Sequence, residues 1–243
     1  MSSRLASFRG PSSPSPNPVR ARQQQQQPHT PRSPSSPSTG HAAAESPFHR
    51  KLRSLLLELR AAACTWDDLV LVDGAKAAKS LVDTRTELDN ALALLPSGTQ
   101  PTARIVGPKL DAMEVRTAQL RAVLSKLEKQ FTKMASLVDS AELILTEASK
   151  AKGWQWVHGE PLWCTWSLEK FVTSLPALLP PYHRSLHLHK DLFEELRDYD
   201  SPFEASRAAL SHWVGQPWLA EDGWTCAWED LCAVEVDRWE YAR

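Results

Sequence analysis

Three side chains in the second half of the chain have the spacing of a metal site, because His183, His187 and Asp191 recur at i, i+4 and i+8, with His189 close by. Two imidazoles one helical turn apart can share an ion on one helix face. Neither an HExxH sequence nor a cysteine pair accompanies them, and the opposite face of the same helix carries Tyr182, Leu186 and Phe193. That is the pattern of a solvated polar face behind a buried one, so no metal ligand is assigned. Cys226 and Cys232 lie six residues apart, on different faces of a helix and without a basic activator, and read as buried structural thiols. No GxSxG, P-loop, GxGxxG or kinase signature occurs. The expectation is a protein without catalytic residues and without a cofactor.

Recognition is the remaining chemistry. Nine of the ten tryptophans follow residue 153, interleaved with Glu160, Glu169, Glu221, Asp222, Glu229, Asp230 and Glu235 rather than with basic residues. A specific nucleic-acid surface built on base stacking is therefore not expected. Most of these rings should pack a core, while one or two can anchor a protein partner, a role for which tryptophan is enriched. Trp218 and Trp224, in a break between predicted helices, are the candidate anchors; the alternative is that they only lid the core. In the N-terminal region Thr30, Ser33 and Ser36 each precede proline, and Thr65-Trp-Asp-Asp68 and Ser136-Leu-Val-Asp139 match an acidic kinase pattern. Thr65 is also placed to cap a helix through Asp68, which makes a structural role its default.

The elements that position these residues are helical. From Leu110 to Leu145 the series Leu110, Met113, Thr117, Leu120, Leu124, Leu127, Phe131, Met134, Val138, Ala141 and Leu145 advances in steps of three and four. This a/d seam predicts a long helix partnered along its length. Its e positions begin polar (Glu114, Arg121, Glu128), whereas its g positions turn apolar at Val123, Leu137 and Ile144. The widened C-terminal part needs a helical bundle, and the narrow N-terminal end, with Leu110 and Met113, is where an outside partner is expected.

A first arm should start at Ser46-Pro47 and carry Phe48, Leu52, Leu55, Leu59, Ala62, Trp66 and Leu69; Asp73-Gly74 interrupts it before Ala78, Leu81, Leu88 and Leu92, leaving open one kinked helix or two. The turn-rich stretch 96–107 ends that arm, Pro108 opens the second and Gly153 closes it, which makes an antiparallel hairpin. Beyond it, Thr165 should cap a helix through Leu168, Phe171, Val172 and Leu175. Pro176, Pro180 and Pro181 should break it before a restart at Tyr182. Ser201-Pro-Phe-Glu204 launches another helix toward Gly215, and a last one follows Asp222 with Trp224, Trp228, Leu231, Cys232 and Trp239. No segment alternates with a period of two, so no sheet is expected.

The fold class is thus all-α: residues 1–46 a disordered Pro/Ser/Gln-rich tail, 47–153 a long helical hairpin, and 154–243 a Trp-rich helical region packing on it. Residues 1–47 hold nine of the eighteen prolines, the Gln23–Gln27 run and a net charge of +4, while the remainder carries −5. An Arg- and Ser-rich start resembles a mitochondrial transit peptide, but its prolines and glutamines spoil an amphipathic helix. No apolar run approaches the ~18 residues of a membrane span, and no apolar core of a secretory signal is present. Four cysteines without a CxxC pair fit a reducing nucleus or cytosol.

The order of elements resembles the casein kinase substrate family. The resemblance spans about residues 48 to 240 and rests on Trp66 in the first arm, the continuous seam of the second, and Phe171-x3-Leu175-x6-Tyr182-x2-Ser185-x4-Lys190-x-Leu192. It implies a non-enzymatic subunit of a hetero-oligomer built on a AAA+ ATPase, together with a cyclin-dependent-kinase-interacting protein. Such a subunit acts in large ribosomal subunit maturation, in nucleus and cytoplasm. A coiled-coil subunit of a kinetochore, tethering or cytoskeletal complex is the alternative that the seam itself allows.

Overall fold

Pro47 can open a helix because its ring presets a helical φ and the N–H it lacks has no intrahelical partner at that position. In the computed structural model, which describes residues 45–96, 100, 103–220, 228 and 231–237, Ser46 is the extended N-cap and α1 runs over Pro47–Asp68. The first arm is neither broken nor restarted at Asp73-Gly74. A π-helical turn, Leu69–Gly74, leads directly into α2, Ala75–Ala93. The inserted residue has a clear cause: at regular spacing from Trp66 the inward position would fall on Asp73, and the π turn moves Asp73 out to solvent and Gly74 in. Thr65 does not cap anything; its hydroxyl donates to the Ala61 carbonyl one turn back, at 2.8 Å.

The second arm, α3, runs over Ala103–Lys152, a helix of 50 residues and about 75 Å. Pro108 sits inside it rather than at its start. The proline removes a single hydrogen bond close to a terminus whose first N–H groups are unpaired in any case, so the helix tolerates it. Gly153, at φ 86°, ends the arm as expected. Three ion pairs set the register: Lys51 with Glu147, Asp73 with Lys126, and Glu87 with Lys109. Partner numbers fall along α3 as they rise along the first arm, which makes the hairpin antiparallel.

Four shorter helices follow: α4 (Trp154–Gly159), α5 (Leu168–Ser174), α6 (Leu179–Arg197) and α7 (Phe203–Gly215), with a single turn α8 at Pro217–Ala220. Ser167, not Thr165, caps α5, accepting from the Lys170 N–H at 3.4 Å. The prolines act as expected in part. Pro176 lies in a 3-10 turn, Leu175–Leu178, and Pro180 and Pro181 in the first turn of α6, so the path bends without a loop. Ser201 does not cap α7; the N-cap is Pro202, with no side-chain bond.

α6 packs on α3 and α7 on α2, and α6 and α7 pack on each other. His183 lies beside Phe131 with ring centroids 5.4 Å apart, Lys190 pairs with Glu128 at 2.7 Å, and Arg121 covers Phe193. α6 therefore runs antiparallel to α3. Ser206 bonds Arg85, Trp213 bonds Val70 and Gln216 bonds Asp67, so α7 is antiparallel to the first arm. The middle of the hairpin is thus closed into an up-down four-helix bundle. Its far end is covered by aromatic rings, Trp156 on Phe48 and both Trp163 and Trp166 on Phe171. Trp66, Trp163, Trp213 and Trp228 are buried and Trp156 and Trp166 pack against the core, and among the described residues there is no strand, only an isolated bridge between Pro161 and Ser167. The expected tail, the start of the last helix, and Trp224, Cys226 and Trp239 lie outside the described residues.

Candidate partner-binding site

Arg85 marks the level at which the bundle stops. Its guanidinium donates to the carbonyls of Asp198, Tyr199 and Ser201 and to the Ser206 hydroxyl, which pins the α6–α7 turn against α2. Beyond that clamp α2 continues through Thr86–Ala93, on the order of 12 Å. On the other arm, α6 ends at Arg197, one turn past the Phe193 ring that lies under Arg121. Among the described residues, the first turns of α3 therefore run past α6 and α7 with only the end of α2 beside them.

Leu110 shows the consequence. It occupies a seam position yet is 42% exposed, because neither α6 nor α7 reaches it. Leu94 at the end of α2 is 86% exposed, and Ile105 in the first turn of α3 is also open to solvent. The tip carries ions as well, since Lys109 pairs with Glu87 across the two arms beside Leu110. An apolar strip flanked by charges suits a helical or extended partner segment, with the charges fixing its direction.

Met113 corrects one expectation. It is 2% exposed and belongs to the hydrophobic core, so it faces inward and offers nothing to an outside partner. The difference from Leu110 is a matter of one turn: Met113 points between the arms, and Leu110 lies past the covered zone. No protein-family model and no curated protein matches this chain. The site must therefore be judged on its geometry.

Trp218, on α8, is 37% exposed, with the Arg184 guanidinium stacked 5.3 Å from its ring centre. It sits near the π turn of the first arm, because the neighbouring Gln216 accepts from Trp66 Nε1 at 3.0 Å and donates to Asp67. Leu110 and Trp218 are thus not brought together; about 30 Å of hairpin separates their levels. Trp154 is the most exposed described tryptophan, at 70%, and was not singled out from the sequence. Its position immediately after Gly153, before any apolar repeat resumes, is the signal that could have found it. Leu94 could be found the same way, since it follows the last inward position of the first arm, Leu92.

The histidines divide. His183 and His187 lie on the solvated face of α6 with Nε2 atoms 3.2 Å apart, and Asp191 is exposed beyond them. No group of three or more metal-ligating side chains occurs among the described residues. His189 does not share that face. It is fully buried, with Nδ1 2.7 Å from the Ser185 carbonyl and Nε2 3.2 Å from the Trp213 carbonyl, and burial pushes its pKa down against the pull of both carbonyls. It is a strut between α6 and α7.

Proposed function

We propose that this chain is a non-enzymatic helical adaptor, a subunit of a AAA+ ATPase-containing complex that acts in maturation of the large ribosomal subunit. The adaptor works in nucleus and cytoplasm, and the chemistry belongs to the ATPase. Two lines support the reading. The first is the resemblance to the casein kinase substrate family, which includes the ribosome maturation factor AIRIM. The second is the observation that carries an adaptor role on physical grounds: the seam runs on past α6 and α7, leaving Leu110 and Leu94 exposed at the end of the hairpin. Projection from a bundle lets such a tip reach a neighbouring subunit while the rest of the fold holds its place.

The test is affinity purification of the full chain and of its Leu110→Asp variant, followed by mass spectrometry. Wild type should recover a AAA+ ATPase, a cyclin-dependent-kinase-interacting protein and pre-ribosomal factors, and the variant should recover less of at least one. Kinetochore, tethering or cytoskeletal subunits in their place, with a punctate localisation, replace this reading with that of a coiled-coil structural subunit. Recovery of none of these overturns both.

A further inference from the structure

The loop between α4 and α5 is built as an anion receptor. Its ends are tied by the Pro161–Ser167 bridge and by the Leu162 N–H donating to the Trp166 carbonyl at 2.9 Å. Trp163 and Phe171 seat it on the body. None of these contacts involves the C-terminal segment, which meets the loop through separate bonds, among them the Cys164 thiol donating to the Val234 carbonyl at 3.1 Å. Between its tied ends, the consecutive N–H groups of Cys164, Thr165 and Trp166 point at one place, and the Thr165 hydroxyl joins them. Lys170 lies 4.2 Å from the centre of the neighbouring Trp166 ring. Successive backbone donors of this kind form a concavity for a carboxylate or phosphate oxygen.

The chain fills that concavity with its own Glu235. One carboxylate oxygen accepts from the three N–H groups at 3.3, 2.9 and 3.1 Å, and the other from the Thr165 hydroxyl at 2.5 Å. Glu235 arrives on a six-residue π-helical turn, Cys232–Asp237, and around it Trp228, Cys232 and Val236 are buried. One apolar side chain of the turn stays outside the contact. Val234 on the same turn remains exposed, and the π turn itself is an uncommon geometry for so short a piece.

We propose that the 161–167 loop is a carboxylate-recognition site for an acidic amphipathic helix of another protein, held shut in cis by the Cys232–Asp237 turn. The ligand class is read from the cis occupant: a glutamate with apolar residues seven and three positions before it and one after. A second copy of this chain is the poorer candidate. Its segment makes the same contacts as the cis one and must compete against a tethered rival at millimolar effective concentration. A foreign helix that also buries an apolar group where Val234 points outward has contacts to gain. This site is separate from the hairpin tip and stands whether or not the ribosomal reading does.

The probe is a fluorescently labelled peptide of residues 228–237, titrated into the full wild-type chain and its Glu235→Gln variant. Charge-assisted bonds are roughly twice as strong as neutral ones, so the variant should release the strap and bind the peptide at least about tenfold more tightly than wild type. The same peptide carrying Glu235→Gln should lose that gain. Equal, weak uptake by both chains overturns the proposal. Should the variant lose its helical circular dichroism, the unmodified chain decides: millimolar wild-type peptide must speed hydrogen exchange across Cys232–Asp237, and the Gln peptide must not. No acceleration overturns the proposal. So does dimerisation of the unmodified chain through this segment in light scattering, which would make a second copy the occupant.

Discussion

Replacing Gly74 by alanine sets helix propensity against packing. Gly74 lies in the π turn with helical backbone angles, and alanine is favoured over glycine in a helix interior by about 1 kcal/mol. A Cβ at this position, however, would stand 2.7 Å from Trp213 Nε1, 2.8 Å from its Cζ2 and 3.0 Å from the Leu69 carbonyl oxygen. Trp213 is fully buried, and its Nε1 donates to the Val70 carbonyl at 3.2 Å. The ring has no room to retreat without giving up that bond. Overpacking costs typically 1–3 kcal/mol, and straining the buried hydrogen bond adds about 1 more. Packing wins: Gly74→Ala should destabilise the protein by about 1–3 kcal/mol net, lowering Tm by roughly 2–4 °C per kcal/mol. Urea unfolding followed by circular dichroism measures it. The same substitution in a Trp213→Phe background, where neither clashing ring atom exists, should cost less, with a coupling of about 1 kcal/mol or more. A Gly74→Ala protein as stable as wild type, or additive behaviour in the double variant, refutes the close-packing argument.

The seam supplies a paired prediction: Leu110→Asp should change stability by no more than about 0.5 kcal/mol, whereas Met113→Ala should lose about 2–5 kcal/mol. Equal urea midpoints for the two variants would contradict the exposure assigned to Leu110. Burial holds both His189 and His49 below the ordinary histidine value of 6.5. The unfolded chain then binds protons first, so stability should be full above 6.5 and fall as pH drops below it; a urea midpoint that rises between about pH 7.5 and 6 speaks against this. Burial raises the Asp67 carboxyl above 3.8, opposed by the Gln216 side chain. A raised value withdraws stability as pH rises through it, so Asp67→Asn should be at least as stable as wild type at pH 7, and a clear drop in midpoint would show that its charge stabilises the fold.

The hairpin was readable because its information is periodic. Each arm repeats one apolar position per turn over many turns, and the errors of single residues cancel. What failed was local and depended on partners distant in sequence. Thr65 and Thr165 both looked like N-caps, but Thr65 lies mid-helix and bonds back to Ala61, while Thr165 faces Glu235 seventy residues later. Asp73-Gly74 looked like a stop, since no local rule says that a π turn will turn the carboxylate toward Lys126 and bring the glycine under Trp213. His189 looked like a neighbour of His183 and His187, although its position two residues after His187 places it on another face. Of the two seam residues expected at the open end, Leu110 is exposed and Met113 is buried, because the sequence shows that both belong to the seam and not how far α6 and α7 reach along it.

That reach is also an energetic argument about partners. α3 has 50 residues while α6 and α7 have 19 and 13, so the short helices cannot cover the long one. Burying Leu94 against a partner gains about 1.5–3 kcal/mol, and Leu110, already more than half buried, about half as much. Association costs at least about 4 kcal/mol in lost freedom before any ordering of the partner. The tip alone therefore supports only a weak complex, and a stable one needs a second contact on the same rigid body. Trp218 under Arg184 is a suitable second anchor, being aromatic, partly open and about 30 Å from the tip along the hairpin. If one partner spans both, Leu110→Asp and Trp218→Ala should each weaken binding, and their effects should add within about 0.5 kcal/mol because the sites share no neighbours. Loss of binding in one variant with none in the other would mean that the surfaces serve different partners.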